Sequence, residues 1–241
     1  MKNLCLIRQP AGLGDIILCQ KIVDALIDRE YHVYWPVIEQ YLDSVKNYMQ
    51  KDGITFCSEG DDFPLKEYYH SNFRVPIRRK DGGLYFPLQY ADLSFPGESV
   101  LKAKFKILKM DSMGWQQHFK ISRNADKENE LFYDVLGMDD CTDYTFINLW
   151  YGSPPHSEKK DIFIESNLHK IEMSAVDNFS IFDWCKVIEN ASEIYCVDTS
   201  LFYIIELLEL KANKLEAYSK FSPSNYMHID GLFSKLWRYN Q

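Results

Sequence analysis

The sequence predicts an α/β protein with two parallel-sheet domains, and three observations support this prediction. Short apolar runs of strand length alternate with stretches in which apolar residues recur at helical spacing. The alternation restarts after the polar stretch 122–130. The 241 residues of the chain are enough for two domains of about 110 to 120 residues, close to the usual domain size. We therefore predict domains over residues 1–122 and 123–241 that face each other across a cleft.

The first domain begins with the alternation strand, helix, strand, helix, strand. An apolar strand over 3–8 is followed by a glycine turn and by apolar residues at helical spacing from Ile16 to Ile27. The next elements are a strand over 31–35 closed by Pro36, a helix over 40–49, a strand over 54–57 and a strand over 84–89. Residues 98–108 favour a helix, although their alternating lysines leave a strand open.

The second domain repeats the alternation. Residues 131–136 are helical with Gly137 as C-cap, and a helix from Ile181 to Ile188 has its apolar residues on one face. The remaining predicted elements are strands over 144–149, 162–164, 169–173, 193–197 and 214–218, a helix over 200–210, and a terminal helix over 232–239 that could cross back onto the first domain. Strands alternating with helices imply parallel sheets, so both halves are expected to be Rossmann-like.

Composition excludes several classes of function. The chain has 27 Lys and Arg against 35 Asp and Glu, a formal charge of -8 that disfavours binding to a nucleic-acid backbone. We interpret its densest basic groups as solvated surface; these are residues 78–80 and the set Lys102, Lys104, Lys106 and Lys109. The start of the chain is apolar for only a few residues, so we expect neither a signal peptide nor a membrane span, and a cytoplasmic protein. Six cysteines form no Cys-x-x-Cys pair, which predicts scattered reduced thiols rather than a zinc or redox site.

The glycine turn Gly12-Leu13-Gly14-Asp15 is the first candidate site. Its glycines allow a tight turn and a close approach to a ligand, and the following helix offers free N–H groups. The complete dinucleotide fingerprint is missing, because Ile17 replaces the third small residue and no acidic residue ends the second strand. Asp15 also has a simpler structural role, since a carboxylate in the first turn complements the helix dipole.

Two further candidate sites follow strands of the second domain. Asp198, Thr199 and Ser200 lie where a predicted strand ends and a helix begins, which is where parallel sheets bind ligands. Helix capping accounts for one of these three polar residues. The loop from Gly152 to Lys160 offers hydroxyls and two ammonium groups to a diphosphate, although an ordinary exposed loop has the same composition.

The order of these pieces resembles the GT-B glycosyltransferases, and most closely the ADP-heptose-type heptosyltransferases. The resemblance spans nearly the whole chain and is carried by residues 6–8, 12–15, 86–89, 152–160 and 197–200. It implies that Asp15 is the base that activates the acceptor hydroxyl and that Asp198, Thr199 and Ser200 hold the donor. The chain departs from the family at Ser200, where a Gly is usual, and at Tyr203, where a His is usual, and it is shorter than most members.

These considerations predict a metal-independent, inverting transfer of a sugar from a nucleotide-sugar donor to a glycan or other hydroxyl acceptor, with no cofactor beyond the donor substrate. Metal-dependent glycosyltransferases of the other main fold usually carry Asp-x-Asp, which is absent here. The residues assigned to the donor are Gly152, Ser153, Lys159, Lys160, Met173, Asp198, Thr199 and Ser200, and those assigned to the acceptor side are Gly12, Gly14 and Gln89. A nucleotide-sugar epimerase or hydrolase of the same fold, or a non-catalytic sugar- or nucleotide-binding module, are the alternatives.

Overall fold

The computed structural model describes residues 3–152, 157–221 and 224–240. The chain divides into two compact units, which we call unit 1 and unit 2. Unit 1 comprises Met1–Ser122 and Met227–Leu232, and unit 2 comprises Arg123–Tyr226 and Phe233–Gln241. Each unit contains one mainly parallel five-stranded sheet with helices between its strands, as the alternating sequence pattern predicts.

The sheet of unit 1 has the strand order β3-β2-β1-β5-β4. Its strands are β1 (Asn3–Ile7), β2 (Tyr31–Val37), β3 (Ile54–Ser58), β4 (Ile77–Arg78) and β5 (Leu84–Phe86). All neighbours pair in parallel except β4 and β5, which form an antiparallel edge. Because β2 and β5 flank β1 on opposite sides, the strand order reverses between β1 and β5.

One predicted boundary in this sheet is wrong, because Pro36 does not close the second strand. The strand continues through Pro36 to Val37, and these two residues pair with Cys57 and Ser58 of β3. Proline lacks a donor, and it is tolerated in a strand where its nitrogen is not needed by a neighbour. The strand predicted over 84–89 is also shorter: β5 ends at Phe86, because a 3₁₀ helix over Leu88–Ser94 follows it.

The helices of unit 1 are α1 (Leu13–Leu18), α2 (Gln20–Ile27), α3 (Glu39–Tyr48), α4 (Lys66–Tyr69) and α5 (Val100–Lys106), with a 3₁₀ helix at Trp115–His118. The region 98–108 is therefore a helix and not a strand. Ser99 starts it as N-cap, because its hydroxyl accepts from the Lys102 backbone N–H at 3.3 Å. The apolar residues that predicted the first helix are buried, including Ile16, Ile22 and Leu26.

The sheet of unit 2 is parallel throughout, in the order β12-β11-β10-β6-β9. Its strands are β6 (Tyr144–Asn148), β9 (His169–Glu172), β10 (Glu193–Val197), β11 (Lys214–Tyr218) and β12 (Arg238–Asn240), and β7 (Trp150–Tyr151) and β8 (Glu158–Lys159) form a separate antiparallel pair. The helices are α6 (Ala125–Asn129), which continues as a π-helix over Glu130–Val135, α7 (Cys185–Asn190), preceded by a 3₁₀ turn at Ile181–Trp184, and α8 (Ser200–Leu207). The strand order reverses between β6 and β10.

The predicted terminal helix is wrong. Residues 232–237 form turns and irregular structure, and Arg238–Asn240 adds to the edge of the sheet as β12. The buried carboxylate of Glu206 on α8 explains this, because it accepts from the Ser234 backbone N–H and hydroxyl, both at 2.8 Å, and from the Trp237 indole N–H at 3.1 Å. These bonds tie the segment to α8. The predicted strand over 162–164 is also absent, although Ile164 is buried.

Within the three described ranges, no helix is long and apolar enough to cross a membrane.

Candidate functional site

The point where the strand order of unit 2 reverses brings two predicted site segments together. Asn148 ends β6, and Asp198 and Thr199 follow β10, its direct neighbour. The Asn148 side-chain amide donates to the Thr199 hydroxyl at 3.4 Å and so spans the gap between the two strand ends. In open α/β sheets, ligands bind outside the carboxyl ends of the strands at such a reversal. Asn148, which is buried, was not singled out from the sequence.

Thr199 is the residue of the Asp198-Thr199-Ser200 turn that caps α8. Its hydroxyl accepts from the Leu201 backbone N–H at 3.4 Å. Asp198 is buried, and its Oδ1 accepts from the Lys220 backbone N–H at 2.7 Å, which ties the turn to the segment after β11. Ser200 begins the helix and is half-buried, and its hydroxyl makes no hydrogen bond with the described residues. The turn therefore presents one polar side chain that neither caps the helix nor binds the loop.

A cavity of about 480 Å³ lies at the carboxyl ends of β6 and β9 in unit 2. It is lined by Asn148, Trp150, Ser157, Met173, Ser174, Ala175, Val176, Phe179, Ser180, Ile181 and Trp184. Met173, predicted to bind the donor, lines this cavity, and its backbone N–H extends the pairing of β9 with β6 by donating to the Ile147 carbonyl at 2.8 Å. The lining is mainly apolar, with aromatic rings and a few serine hydroxyls, a combination suited to a flat ring with polar edges.

The loop over 152–160 is held at both ends. The short strands β7 and β8 pair across it, and Gly152 has a positive φ of 85° that turns the chain after Tyr151. Ser153 lies outside the described residues. Lys159 pairs with Glu172 at 2.6 Å, while the Lys160 ammonium donates to the carbonyls of Ser219 and Phe221. Both lysines thus have partners within unit 2.

The glycine turn of unit 1 differs in detail from the predicted loop. Gly12 has a positive φ of 83° and is the N-cap of α1, whereas Gly14 lies buried inside the helix. Asp15 occupies the first turn, and a Cβ placed on Gly12 would lie 2.5 Å from its Oδ2. The carboxylate is therefore folded back over the start of its own helix, and glycine at position 12 leaves the room for it.

Lys104 is the functional candidate that the sequence interpretation missed. Only 1% of its side chain is exposed, so the prediction that it belongs to solvated surface is wrong. Its ammonium donates to the Asp15 carboxylate and, at 2.6 Å, to Oε1 of Gln9. A signal existed, because position 104 follows the buried Leu101 by three residues and thus shares its helix face.

Gln89 lies beside the strand reversal of unit 1. Its backbone N–H donates to the Arg8 carbonyl at 3.1 Å, which joins the end of β5 to the end of β1. The side chain is half-buried and has no hydrogen bond among the described residues. Gln89 is thus on the same sheet edge as the turn that contains Asp15.

The cysteines are isolated from one another. All six are free, and only Cys141 is exposed. Burial raises the pKa of the Cys196 thiol at the end of β10, so this group stays protonated and uncharged. In the described part of the chain, no three His, Cys, Asp or Glu side chains are grouped as metal ligands would be.

Comparison with known proteins identifies a similar fold. No family profile matches the chain, and no curated protein matches its sequence. Its structure is similar to that of a glycosyl transferase family 9 protein from Veillonella parvula, with a TM-score of 0.54 and 9% identity over 99% of this chain and 86% of that chain. The sequence-based expectation of two GT-B-like α/β halves is confirmed at the level of the fold.

Two weaker similarities are to structures of TibC. One is an iron-containing dodecameric glycosyltransferase from enterotoxigenic Escherichia coli, with a TM-score of 0.47. The other is described as a heptosyltransferase in complex with ADP-D-beta-D-heptose, with a TM-score of 0.45. Each is 8% identical to this chain, and each alignment covers 89% of this chain and 58% of that chain.

Proposed function

We propose that the chain transfers a sugar from a nucleotide-sugar donor to a hydroxyl group of a glycan or other acceptor, without a metal ion and with inversion at the anomeric carbon. The observation that carries the proposal is the cavity of unit 2. Asn148 lines this cavity and also hydrogen-bonds Thr199 of the turn that starts α8. A site for a flat base therefore adjoins a helix amino end, as a nucleoside diphosphate requires.

The nucleobase of the donor is proposed to occupy the cavity. A volume of about 480 Å³ is within the range of small-molecule sites. Trp150 and Phe179 offer ring surfaces, and Met173 adds a polarisable side chain. The Ser174 hydroxyl can exchange hydrogen bonds with the edge of a base. Apolar faces combined with a few hydroxyls favour a nucleobase over a sugar, whose surface is mostly polar.

The diphosphate is proposed to meet the amino end of α8. The first N–H groups of a helix have no partners within the helix and carry a partial positive charge, which favours an anion. The Ser200 hydroxyl adds a donor at the same place. Together these groups would stabilise the negative charge that develops on the departing diphosphate, which is the role that a metal ion has in other transferases.

Asp15 is proposed as the base that removes the proton from the acceptor hydroxyl. It lies on unit 1, at the carboxyl end of the central strand β1, where a ligand of this sheet is expected. A carboxylate suffices for this step because general base catalysis requires only a proton acceptor within hydrogen-bond reach of the hydroxyl. A single displacement at the anomeric carbon inverts its configuration.

An assay of nucleoside-diphosphate release tests the proposal. The protein is incubated with a panel of nucleotide sugars, with and without a mixture of glycan acceptors, and the products are identified by mass spectrometry and NMR. We expect release that depends on acceptor, together with a glycoside of inverted configuration. Equal release of nucleoside diphosphate with and without acceptor would show that the protein hydrolyses the donor instead of transferring the sugar. Tight donor binding with no release of nucleoside diphosphate would show that the protein only binds the donor.

A further inference from the structure

Lys104 is a buried cation whose charge is balanced from outside its own helix. It lies on α5, and its ammonium reaches Asp15 at the start of α1 and Gln9 in the turn between β1 and α1. Moving an ammonium out of water is costly unless a countercharge and hydrogen bonds compensate for the lost hydration. Asp15 supplies the countercharge, and Gln9 supplies a second acceptor.

Gln9 is itself held rigidly. Its side-chain amide donates to the Ala11 carbonyl at 2.6 Å, and its backbone carbonyl accepts from the Trp35 indole at 2.9 Å. Trp35 is fully buried in β2. The ammonium of Lys104 is thus placed by one fixed acceptor and in turn fixes Asp15.

The two carboxylate oxygens of Asp15 have different surroundings. Oδ1 accepts from Lys104. Oδ2 lies beside Gly12, 2.5 Å from where a Cβ would stand; it accepts no hydrogen bond from the described residues and is not among their fully buried polar atoms. A quarter of the side chain is exposed, against 1% for Lys104. One oxygen is therefore held by the protein, and the other is open to solvent or to a ligand.

We propose that Lys104 is a positioning residue, which holds Oδ1 of Asp15 so that Oδ2 points toward the hydroxyl of the bound acceptor. This inference rests on the proposed function, because it takes Asp15 as the base. Lys104 itself touches neither substrate. It fixes the rotamer of the carboxylate from the buried side, and Gly12, which has no Cβ, leaves the room that Oδ2 occupies.

No other charged group of the described chain is recorded in contact with Asp15. The Cys19 thiol lies one turn farther along, and burial raises its pKa to about 12, so it is uncharged at neutral pH. Lys106, on the exposed side of α5, pairs with Glu98. Lys104 is therefore the one charged group of the described chain that hydrogen-bonds Asp15.

Steady-state kinetics of Lys104→Met test the proposal, with Lys106→Met as the matched control. Methionine has a similar length and no charge, so it fills the space of the lysine stem. We expect kcat per folded molecule to fall by on the order of 10²-fold, because a misplaced catalytic group is that costly. The KM for the donor should stay near the wild-type value, since unit 2 binds the donor. A folded Lys104→Met protein with wild-type kcat would overturn the positioning role.

Thermal unfolding of Asp15→Asn, Lys104→Met and the double variant supplies a readout that needs no substrate. We expect Asp15→Asn to lower the melting temperature most, because it leaves the buried ammonium without a countercharge. Lys104→Met should cost less, since the remaining carboxylate is partly hydrated, and it should recover most of the loss when added to Asp15→Asn. Additive losses in the double variant would overturn the ion pair on which the proposal depends.

The kinetic and the thermal unfolding experiments together distinguish failure of the proposed function from failure of the positioning role. If the wild-type protein transfers no sugar while the variants show the expected recovery of stability, the proposed function fails, and the catalytic use of the pair fails with it. If the wild type transfers sugar and Lys104→Met does so equally well, only the positioning role fails.

Discussion

At the scale of single residues, the burial of Lys104 determines how much stability is lost when Asp15 is replaced. A carboxylate that served only to complement a helix dipole would be worth about 0.3 to 1 kcal/mol. Removing the countercharge of a buried cation costs about 3 to 5 kcal/mol. We therefore predict that Asp15→Asn lowers the free energy of unfolding by this larger amount in urea titrations. A loss below 1 kcal/mol would show that Lys104 does not depend on Asp15 for its burial.

Ser200 provides a cleaner test of the diphosphate position than Thr199. Thr199→Val removes the N-cap of α8 and should destabilise the protein by about 1 kcal/mol whatever the function. The Ser200 hydroxyl has no partner in the described chain, so Ser200→Ala should leave stability within about 0.5 kcal/mol of wild type.

We predict that Ser200→Ala weakens the binding of nucleoside diphosphates by roughly ten-fold, because a hydrogen bond to a charged oxygen contributes about 1.5 to 3 kcal/mol. Isothermal titration of the folded variant measures this change. Unaltered affinity would remove Ser200 from the diphosphate site.

The sequence is sufficient to place Asp15 and the turn after β10 beyond strand ends, because glycine and small polar residues mark the turns between strands and helices through local backbone geometry. The roles of Lys104 and Asn148 could not be predicted in this way. Each is defined by a partner far along the chain, Asp15 for Lys104 and Thr199 for Asn148, so no local pattern identifies their roles. The helical position of Lys104 beside Leu101 indicated burial, but not what would balance its charge.

At the scale of elements, α8 and the last segment of the chain depend on one buried carboxylate. Glu206 accepts from Ser234, Lys235 and Trp237, and it is 6% exposed. Glutamine keeps the size of the side chain but replaces one acceptor oxygen with a donor, which then faces other donors. The segment after residue 232 is therefore expected to loosen when this carboxylate is lost.

We predict that Glu206→Gln lowers the free energy of unfolding by about 1.5 to 3 kcal/mol, the usual contribution of hydrogen bonds to a charged group. Chemical denaturation followed by tryptophan fluorescence measures the change. The control is Glu209→Gln, three residues along and exposed, which should stay within about 0.5 kcal/mol of wild type. Equal effects at both positions would show that Glu206 does not anchor the segment.

The same contacts explain why the terminal segment could not be predicted. The residues Leu232, Phe233, Leu236 and Trp237 recur at helical spacing, which favours a helix. In the structure Leu236 is 94% exposed, while Phe233 and Trp237 pack against Phe202 of α8. Hydrogen bonds to Glu206 outweigh a propensity that is worth only a few tenths of a kcal/mol per residue. The strands over 193–197 and 214–218, by contrast, have the predicted bounds. In the first of them the apolar run from Ile194 to Val197 is buried within the sheet.

At the scale of the whole molecule, five of the six cysteines are buried, so the reactivity of their thiols distinguishes the folded chain from partly unfolded states. Burial raises the pKa of the thiols of Cys5, Cys185 and Cys196, and raises that of Cys57 to about 11. The thiolate is the nucleophile that attacks a disulfide reagent, so these buried, protonated groups should be inert in the native protein at pH 8. Cys141 is exposed.

We predict that a chromogenic disulfide reagent titrates one thiol per native chain and six after unfolding in guanidinium, with Cys141→Ser as the control that abolishes the native reaction. Two or more fast thiols in the native protein would contradict the burial of the other five cysteines.

The central claim, that unit 2 binds a nucleoside diphosphate with its base in the cavity beside α8, is tested most directly by titration calorimetry. Nucleoside diphosphates are titrated into the wild type, into Trp150→Ala, and into Phe163→Ala, which removes a ring that is 86% exposed and does not line the cavity. We predict one site per chain and a loss of about 1 to 3 kcal/mol in Trp150→Ala, the usual worth of stacking a base on an aromatic ring. Phe163→Ala should bind as the wild type does. Absence of binding by the wild type, or equal affinity in Trp150→Ala, would contradict the claim.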